Sequence, residues 1–277
     1  MRFYHDSKPN WLTNVLSRAQ HCKILSNNHF AKWVGGCVLC GRTTAQARLS
    51  PRLCVLCTEQ LPHHLSSNLS DTNEFHRCVQ CAHLLTTDET HCLACITEPP
   101  IFTETVAFAD YAEQMQHMLL QYKFHNALHL APVLADALRH ALSHYAQQHR
   151  PDVIVFVPQL DTRTSERGFN HLRLLMQHIA LRSIWGKTPP IYAPDALIRL
   201  HHERLQIHVK PDMRRKQVKN AFTVADKKLF ENTHVLLIDD IITTGATLNE
   251  IARVLKNAGA RQVDNVVIAR TRKTPLK

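Results

Sequence analysis

One segment constrains the fold of this chain more than any other, because it joins the pattern of a buried strand to the start of a helix. Residues 235–250 read VLLIDDIITTGATLNE. The first residues form a short nonpolar run of strand length, which is typical of a parallel sheet covered on both faces. Over residues 246–258 nonpolar side chains recur at helical spacing, and Gly259 stands where a helix commonly ends. This order predicts an α/β domain with its ligand site at the turn.

The turn in this segment has the chemistry of a phosphate site. Free N–H groups at a helix N-terminus point toward an anion, the helix dipole favours its charge, and threonine hydroxyls can donate further hydrogen bonds. Its residues are Thr243, Thr244, Gly245, Ala246 and Thr247. Asp239 and Asp240 precede the turn, and we expect them at the surface of the sheet, holding a polyol or a metal-bound sugar. A lone Asp or Thr before a helix often serves only as an N-cap, so the combination favours a phosphate ligand.

The rest of the carboxyl-terminal part alternates between strand and helix patterns. The predicted strands are residues 105–111, 153–158, 196–200, 234–240 and 262–269, and the predicted helices are residues 114–124, 130–148, 170–184 and 246–258. This alternation predicts a parallel sheet with flanking helices. Pro99 and Pro100 stop any preceding helix. We therefore expect an N-terminal extension at residues 1–35, a cysteine-rich module at residues 36–98 and the α/β domain at residues 101–277.

Eight of the nine cysteines form four C-x-x-C pairs, all before residue 96. They are Cys37, Cys40, Cys54, Cys57, Cys78, Cys81, Cys92 and Cys95. Two such pairs supply the four thiolates of a tetrahedral zinc site with no open position, so we predict two structural Zn²⁺ ions. Disulfide bonds are the alternative, which a reducing compartment disfavours. Sequential pairing of the C-x-x-C turns is favoured over a cross-braced arrangement, and Cys22 is left over.

The charge of the chain indicates an affinity for polyanions. Lys and Arg outnumber Asp and Glu by 33 to 23, and the formal net charge is +10. Seven basic residues lie between Arg199 and Lys219, and the candidates for nucleic-acid contacts are Arg214, Arg215, Lys216 and Lys219. A solvated basic surface is the alternative interpretation. The chain has no nonpolar run of transmembrane length and no secretory signal pattern, so we expect it in the cytoplasm, with a peripheral position at a membrane also open.

The phosphate turn resembles a known signature. A nonpolar strand, two acids, two further residues and T-T-G-x-T closely resemble the site for 5-phosphoribosyl 1-pyrophosphate (PRPP) in type I phosphoribosyltransferases. In that family the carboxylates hold the ribose hydroxyls, and the loop binds the 5-phosphate. The resemblance implies that Asp239, Asp240 and the turn bind PRPP, with Mg²⁺ as its companion ion.

The order of motifs is similar to that of the ComF/GntX family over residues 36–272. The chain has the double C-x-x-C module, then a V-P strand end, a loop that closes in R-G-F-N, a basic segment that closes in K-N-A-F, and the PRPP turn. The resemblance implies a small zinc module followed by a type I phosphoribosyltransferase-like domain. It also implies pyrophosphate contacts from Arg163, Arg167, Gly168 and Lys123, although the two arginines could instead belong to a solvated loop. ComF proteins are associated with natural competence and with single-stranded DNA that enters the cytosol near the inner membrane, and in some species with a helicase-like partner. The resemblance therefore implies a peripheral position at the inner membrane.

Two functions remain open at the level of the sequence. The chain could handle incoming single-stranded DNA and keep the PRPP pocket as a sensor or scaffold. Alternatively, it could be an active phosphoribosyltransferase with an unidentified acceptor base, in which catalysis is mostly positioning and charge stabilisation. A zinc-finger transcription factor is disfavoured, because the cysteine spacing does not give a C2H2 recognition helix.

Overall fold

The computed structural model describes residues 37–41, 50–59, 61, 76–85, 89–159, 170–200 and 218–272. Within them the helices are α1 Val55–Glu59, α2 Leu93–Thr97, α3 Glu113–Phe124, α4 Ala131–Tyr145, α5 His171–Gln177, α6 Leu181–Trp185 and α7 Ala246–Asn257. The strands are β1 Thr105–Asp110, β2 Val153–Phe156, β3 Ile191–Tyr192, β4 Leu197–Arg199, β5 Phe222–Val224, β6 His234–Ile242 and β7 Gln262–Arg270. Short 3-10 turns occupy Leu128–Leu130 and Lys228–Phe230.

Five of these strands form one parallel sheet in the order β1-β7-β6-β2-β3. The two central strands, β6 and β7, are nine residues long and pair from His234 with Gln262 to Ile242 with Arg270. Their side chains are almost all buried, as expected of a sheet covered on both faces. The predicted parallel α/β sheet with flanking helices is therefore confirmed.

Each face of the sheet has its own nonpolar core. On one face, residues such as Phe108 and Ile238 pack against α3, α4 and α5. On the other face, Leu237 and Val267 pack against α7, whose Ile251 is fully buried. Each such large side chain stabilises the fold by about 1.5–3 kcal/mol relative to full exposure. The two layers fix the carboxyl end of β6 against the start of α7, and so fix the predicted phosphate turn.

The structure differs from the sequence prediction in two elements. The helix predicted at residues 170–184 is two helices, α5 and α6, because the chain is extended at Ala180. On one continuous helix Trp185 would lie off the face shared by Leu175 and Ile179, whereas the break brings all three into one core. The strand predicted at residues 196–200 forms as β4, but it pairs antiparallel with β5 in a separate ribbon.

The β4–β5 ribbon brings the two ends of the basic segment together. Leu200 N–H donates to the carbonyl of Ala221 at 2.8 Å, and Arg199 pairs with Phe222. The Arg199 guanidinium also lies 5.3 Å from the centre of the Phe222 ring, a cation–π contact. The two ends of the basic segment are therefore adjacent, although residues 201–217 lie outside the described part of the chain.

The cysteine-rich segment shares its core with the α/β part. Leu53 and Leu61, beside the first four cysteines, belong to the same nonpolar cluster as helices α3 to α5. Ala82, beside the second four cysteines, packs with Phe102 in the cluster on the α7 face. The two cysteine groups thus pack on opposite faces of the sheet. No helix within the described ranges is both long and nonpolar enough to span a bilayer.

A buried ion network also joins the second cysteine group to the sheet. Arg77 donates to Asp110 Oδ1 and Arg272 donates to Asp110 Oδ2, both at 2.8 Å. Asp110 is 1% exposed, and burial alone would raise the pKa of its carboxyl group. The two arginines outweigh burial and hold this pKa below its usual value. Asp110 is therefore charged at neutral pH and ties the cysteine-rich segment to the end of β1.

This lowered pKa predicts acid sensitivity. A carboxyl whose folded pKa is depressed stabilises the fold above its unfolded pKa of about 4, and this stability is lost as pH falls through the folded value. We expect the free energy of unfolding, measured by urea titration, to fall below about pH 4. Asp110→Asn should flatten that decline, whereas Asp136→Asn, which breaks a partly exposed ion pair with Arg139, should not. An identical decline in the Asp110 variant would contradict this assignment.

Candidate functional site

The predicted phosphate turn lies at the carboxyl end of β6, at the start of the 12-residue helix α7. Thr243 and Thr244 are exposed, and Gly245 precedes the helix with a φ of 80°. A Cβ atom on Gly245 would make only ordinary contacts, the nearest at 3.6 Å from Ile242. The left-handed backbone, rather than a shortage of space, therefore favours glycine here. The turn opens toward solvent with the positive end of the helix dipole behind it.

The two acids lie within β6 rather than at its end, because the strand continues to Ile242. Asp239 is half-buried, and its Oδ1 accepts a hydrogen bond from the Asp240 N–H at 2.9 Å. Asp240 is only 4% exposed, and its Oδ2 lies 2.6 Å from Lys123 Nζ and in contact with His171 Nε2. The expectation that both acids lie at the surface of the sheet is wrong for Asp240.

The two carboxyl groups have opposite electrostatic surroundings. Burial and the negative charge of Asp240 raise the pKa of Asp239 well above its usual value. Burial opposes the charge of Asp240 as well, but Lys123 and His171 outweigh it and hold the pKa of Asp240 far below its usual value. Asp240 is therefore charged and engaged by Lys123 and His171, while Asp239 gains from any ligand that brings a positive charge or hydroxyl donors.

Side chains from two helices meet at Asp240. Lys123 lies in the last turn of α3, and His171 is the first residue of α5. The His171 carbonyl accepts a hydrogen bond from Tyr122 Oη at 2.9 Å. The Nδ1 atom of the His171 ring contacts Gln159, which lies just beyond β2. Sequence reasoning included Lys123 but missed His171 and Gln159. The position of His171 directly after the R-G-F-N motif was the signal that could have indicated it.

The other predicted pyrophosphate residues, Arg163, Arg167 and Gly168, lie outside the described residues, as do Arg214, Arg215 and Lys216 of the basic segment. Lys219 is described and exposed.

The end of the basic segment is anchored on α7. The Asn220 N–H donates to Glu250 Oε1 at 2.7 Å. Arg253 Nη2 donates to Asn220 Oδ1 at 3.1 Å and to Glu250 Oε1 at 2.6 Å. Because Glu250 lies in the second turn of α7, these contacts hold Lys219 close to the predicted phosphate turn.

The eight predicted metal ligands form two groups of four. Cys37, Cys40, Cys54 and Cys57 form one group, and Cys78, Cys81, Cys92 and Cys95 form the other, with the sulfur atoms of each within 4.8 Å of one another. The grouping follows sequential rather than cross-braced pairing. Four thiols at this spacing, mostly buried, suit tetrahedral Zn²⁺, which prefers thiolate ligands. Each group could therefore hold one ion.

The second group lies across a cleft from the phosphate turn. This cleft of about 760 Å³ is lined by Cys81 and Cys92 on one side and by Thr244 and Gly245 on the other. Arg270, at the end of β7, also lines it. The cysteine-rich segment and the predicted phosphate site are therefore neighbours in space.

Comparisons with known proteins match the carboxyl-terminal part of the chain to one family. The phosphoribosyl transferase domain family matches residues 199–277, which include the phosphate turn. A solved structure of purine phosphoribosyltransferase from Pyrococcus horikoshii is 16% identical, covers 52% of this chain and 93% of that one, and has a TM-score of 0.30.

Full-length relatives extend the similarity to the cysteine-rich part. Competence protein F of Haemophilus influenzae is 30% identical over 227 residues, which cover 78% of this chain and 96% of that protein. The DNA utilization protein YhgH of Escherichia coli K12 is 30% identical over 70% of this chain and 84% of its own length. Competence protein ComFC of Streptococcus pneumoniae is 25% identical over 84% of this chain and 99% of its length. This chain has two four-cysteine groups followed by a type I phosphoribosyltransferase-like sheet. It therefore belongs to the ComF/GntX family.

Proposed function

We propose that this protein handles incoming single-stranded DNA during natural competence and that it binds PRPP with Mg²⁺ at the turn between β6 and α7. The observation that carries the ligand proposal is the turn itself, whose exposed threonines stand at the start of a 12-residue helix beside two acids. The similarity to Competence protein F and to DNA utilization protein YhgH supports the DNA role.

Different residues of the site would bind different groups of PRPP. The backbone N–H groups and hydroxyls of residues 243–247 would hold the 5-phosphate at the positive end of the helix dipole. Asp239 is the acid left for the ribose hydroxyls or for Mg²⁺, because Lys123 and His171 already engage Asp240. Asp240 would instead position Lys123, whose ammonium group is suited to the pyrophosphate.

The DNA role rests on the basic segment, whose base lies next to the phosphate turn. The β4–β5 ribbon holds the two ends of this segment together, and the contacts of Asn220 with Glu250 attach the segment to α7. A single strand bound by Arg214, Arg215, Lys216 and Lys219 would therefore pass beside the PRPP site. Such binding is expected to be independent of sequence, because phosphate contacts carry no base information.

The DNA proposal predicts a steep dependence on salt. Each phosphate neutralised on a single strand contributes about −0.7 to the slope of log affinity against log salt. Four to six contacts give a slope of roughly −3 to −4, and replacing Arg214, Arg215 and Lys216 by alanine should flatten it by about two. The measurement is fluorescence anisotropy with labelled oligonucleotides of several sequences, over a range of salt concentrations.

A charge-matched control separates this segment from the general positive charge of the protein. Lys187, Lys227 and Lys228 are exposed and precede β3 and β6, at the opposite end of the sheet from the phosphate turn. Replacing these three lysines by alanine removes the same charge and should leave the slope nearly unchanged. If both triple variants match the parent in affinity and slope, the basic segment does not bind DNA.

The alternative function is active phosphoribosyl transfer from PRPP to an unidentified base. The observation in its favour is that one turn brings together acids, threonines and a nearby lysine, as a transferase site requires. Release of pyrophosphate from PRPP in the presence of a panel of bases tests it. Release with one base would favour the transferase, whereas saturable binding without release would favour the DNA-handling function.

A further inference from the structure

Arg270 is a buried arginine that holds the entrance of the phosphate turn. It is the last residue of β7, and its side chain is among the largest that are fully buried in the described chain. Its Nη1 donates to the carbonyl of Ile242 at 3.1 Å and also to the carbonyl of Thr243. These two carbonyls lie where β6 passes into the turn, so the guanidinium fixes the backbone from which the turn begins.

Arg270 also lies beside the second four-cysteine group. It lines one cleft with Cys81 and Cys92 of that group. Among the described residues its Nε is a buried atom with no hydrogen-bond partner. A buried donor without an acceptor is unfavourable, because it has lost its hydrogen bonds to water. Zinc bound by four thiolates has a net charge of about −2, so a metal-loaded second site would place a counter-charge in the cleft that Arg270 lines.

We infer that Arg270 is a positioning residue that couples the metal state of the second cysteine site to the phosphate turn. One end of its guanidinium balances the charge of the metal–thiolate centre, and the other end orders the carbonyls of Ile242 and Thr243. This inference rests on the proposed function, because it treats the turn as the PRPP site. Loss of the second metal would leave Arg270 without its counter-charge and would loosen the turn.

The coupling should be specific to the second site. Phe102 lies near Gly245 of the turn and packs in one cluster with Ala82, which follows Cys81. Cysteines of the first group pack instead with the helices on the opposite face of the sheet. By thermodynamic linkage, a ligand on the turn must raise the metal affinity of the site to which the turn is coupled, by the same factor as the metal raises the ligand affinity.

The first test measures this reciprocity in two variants that each keep one metal site. Cys40→Ser should keep the second site and Cys92→Ser the first. Zinc affinity is measured by competition with a chelator, with and without saturating PRPP and Mg²⁺. PRPP should raise the zinc affinity of Cys40→Ser by about 5- to 150-fold, the usual range of coupling between sites, and leave that of Cys92→Ser unchanged. Arg270→Met in the Cys40→Ser background should abolish the increase, and Arg270→Lys should restore part of it.

The second test uses full-length, zinc-loaded protein without PRPP, so it is independent of ligand binding. Hydrogen exchange of the turn amides, residues 243–247, should be faster in Arg270→Met than in the parent, while the exchange of residues 234–238 in β6 stays the same. Equal exchange of the turn amides would overturn the inference. So would PRPP binding that changes zinc affinity at neither site or equally at both. If PRPP fails to bind the parent protein, the proposed function is wrong, and the exchange result alone decides whether Arg270 holds the turn.

Discussion

Metal analysis of the purified, reduced protein is expected to give two zinc ions per chain, because the eight ligands form two complete groups of four. Cys57→Ser and Cys92→Ser should each leave one zinc. Apparent binding free energies for structural zinc are about 10–16 kcal/mol at neutral pH, and that energy is part of the folding energy. Each variant should therefore lose at least about 3 kcal/mol of unfolding free energy in denaturant titrations.

The loss should extend beyond the cysteine-rich segment. From the sequence alone, a defect in the first site is expected to unfold only its own module. The structure places Cys57 in one nonpolar cluster with the helices that cover the sheet, so the α/β part should lose stability as well. Cys22→Ser is the matched control, because Cys22 stands outside the four C-x-x-C pairs of the sequence, and it should keep two zinc ions. One zinc ion or none in the folded, reduced parent would contradict the assignment.

Substitution of the two acids is expected to separate ligand affinity from stability. Asp239→Asn should weaken PRPP binding by about 10- to 100-fold, because bound Mg²⁺ would stabilise the charged form of the Asp239 carboxyl and the amide cannot replace that charge-assisted contact, worth about 1.5–3 kcal/mol. Its effect on stability should be small, since the contact that the structure gives its side chain is a hydrogen bond from the Asp240 N–H. Calorimetric titration and denaturant unfolding measure the two effects.

Asp240→Asn is expected to act mainly on stability. Removing its charge leaves Lys123 and His171 without their shared partner in a buried position. Breaking a buried ion pair from one side costs about 3–5 kcal/mol. A folded Asp240→Asn protein with unchanged stability would show that the ion pair contributes little. Equal loss of stability in both variants would show that Asp239 is a structural residue and would remove its ligand role.

The features that could be predicted from the sequence are those set by local pattern. The buried strand of β6, the turn and α7 follow from nonpolar runs, acids and Gly245, all within one short segment. The four-cysteine groups follow from the spacing of C-x-x-C pairs and the preference of zinc for four thiolates. In both cases the residues that determine the structure are close together in the chain.

The features that could not be predicted depend on contacts between distant residues. His171 meets Asp240 across 69 positions of the chain, and no periodicity of either segment indicates that contact. Nothing in the sequence distinguishes Arg270 from other residues at the end of a strand. Its burial between the turn and the second cysteine group becomes visible only when β7 is placed beside β6. The separate β4–β5 ribbon likewise depends on pairing across the basic segment.

The central claim, that the turn between β6 and α7 is a PRPP site, is tested most directly by titrating the zinc-loaded protein with PRPP in the presence of Mg²⁺. Isothermal calorimetry should show saturable binding of one PRPP per chain, with competition by ribose 5-phosphate and with weaker binding in Asp239→Asn. Asp136→Asn, which lies on α4 and breaks a partly exposed pair with Arg139, should bind like the parent. Absence of binding to the parent, or an affinity that Asp239→Asn leaves unchanged, would contradict the account.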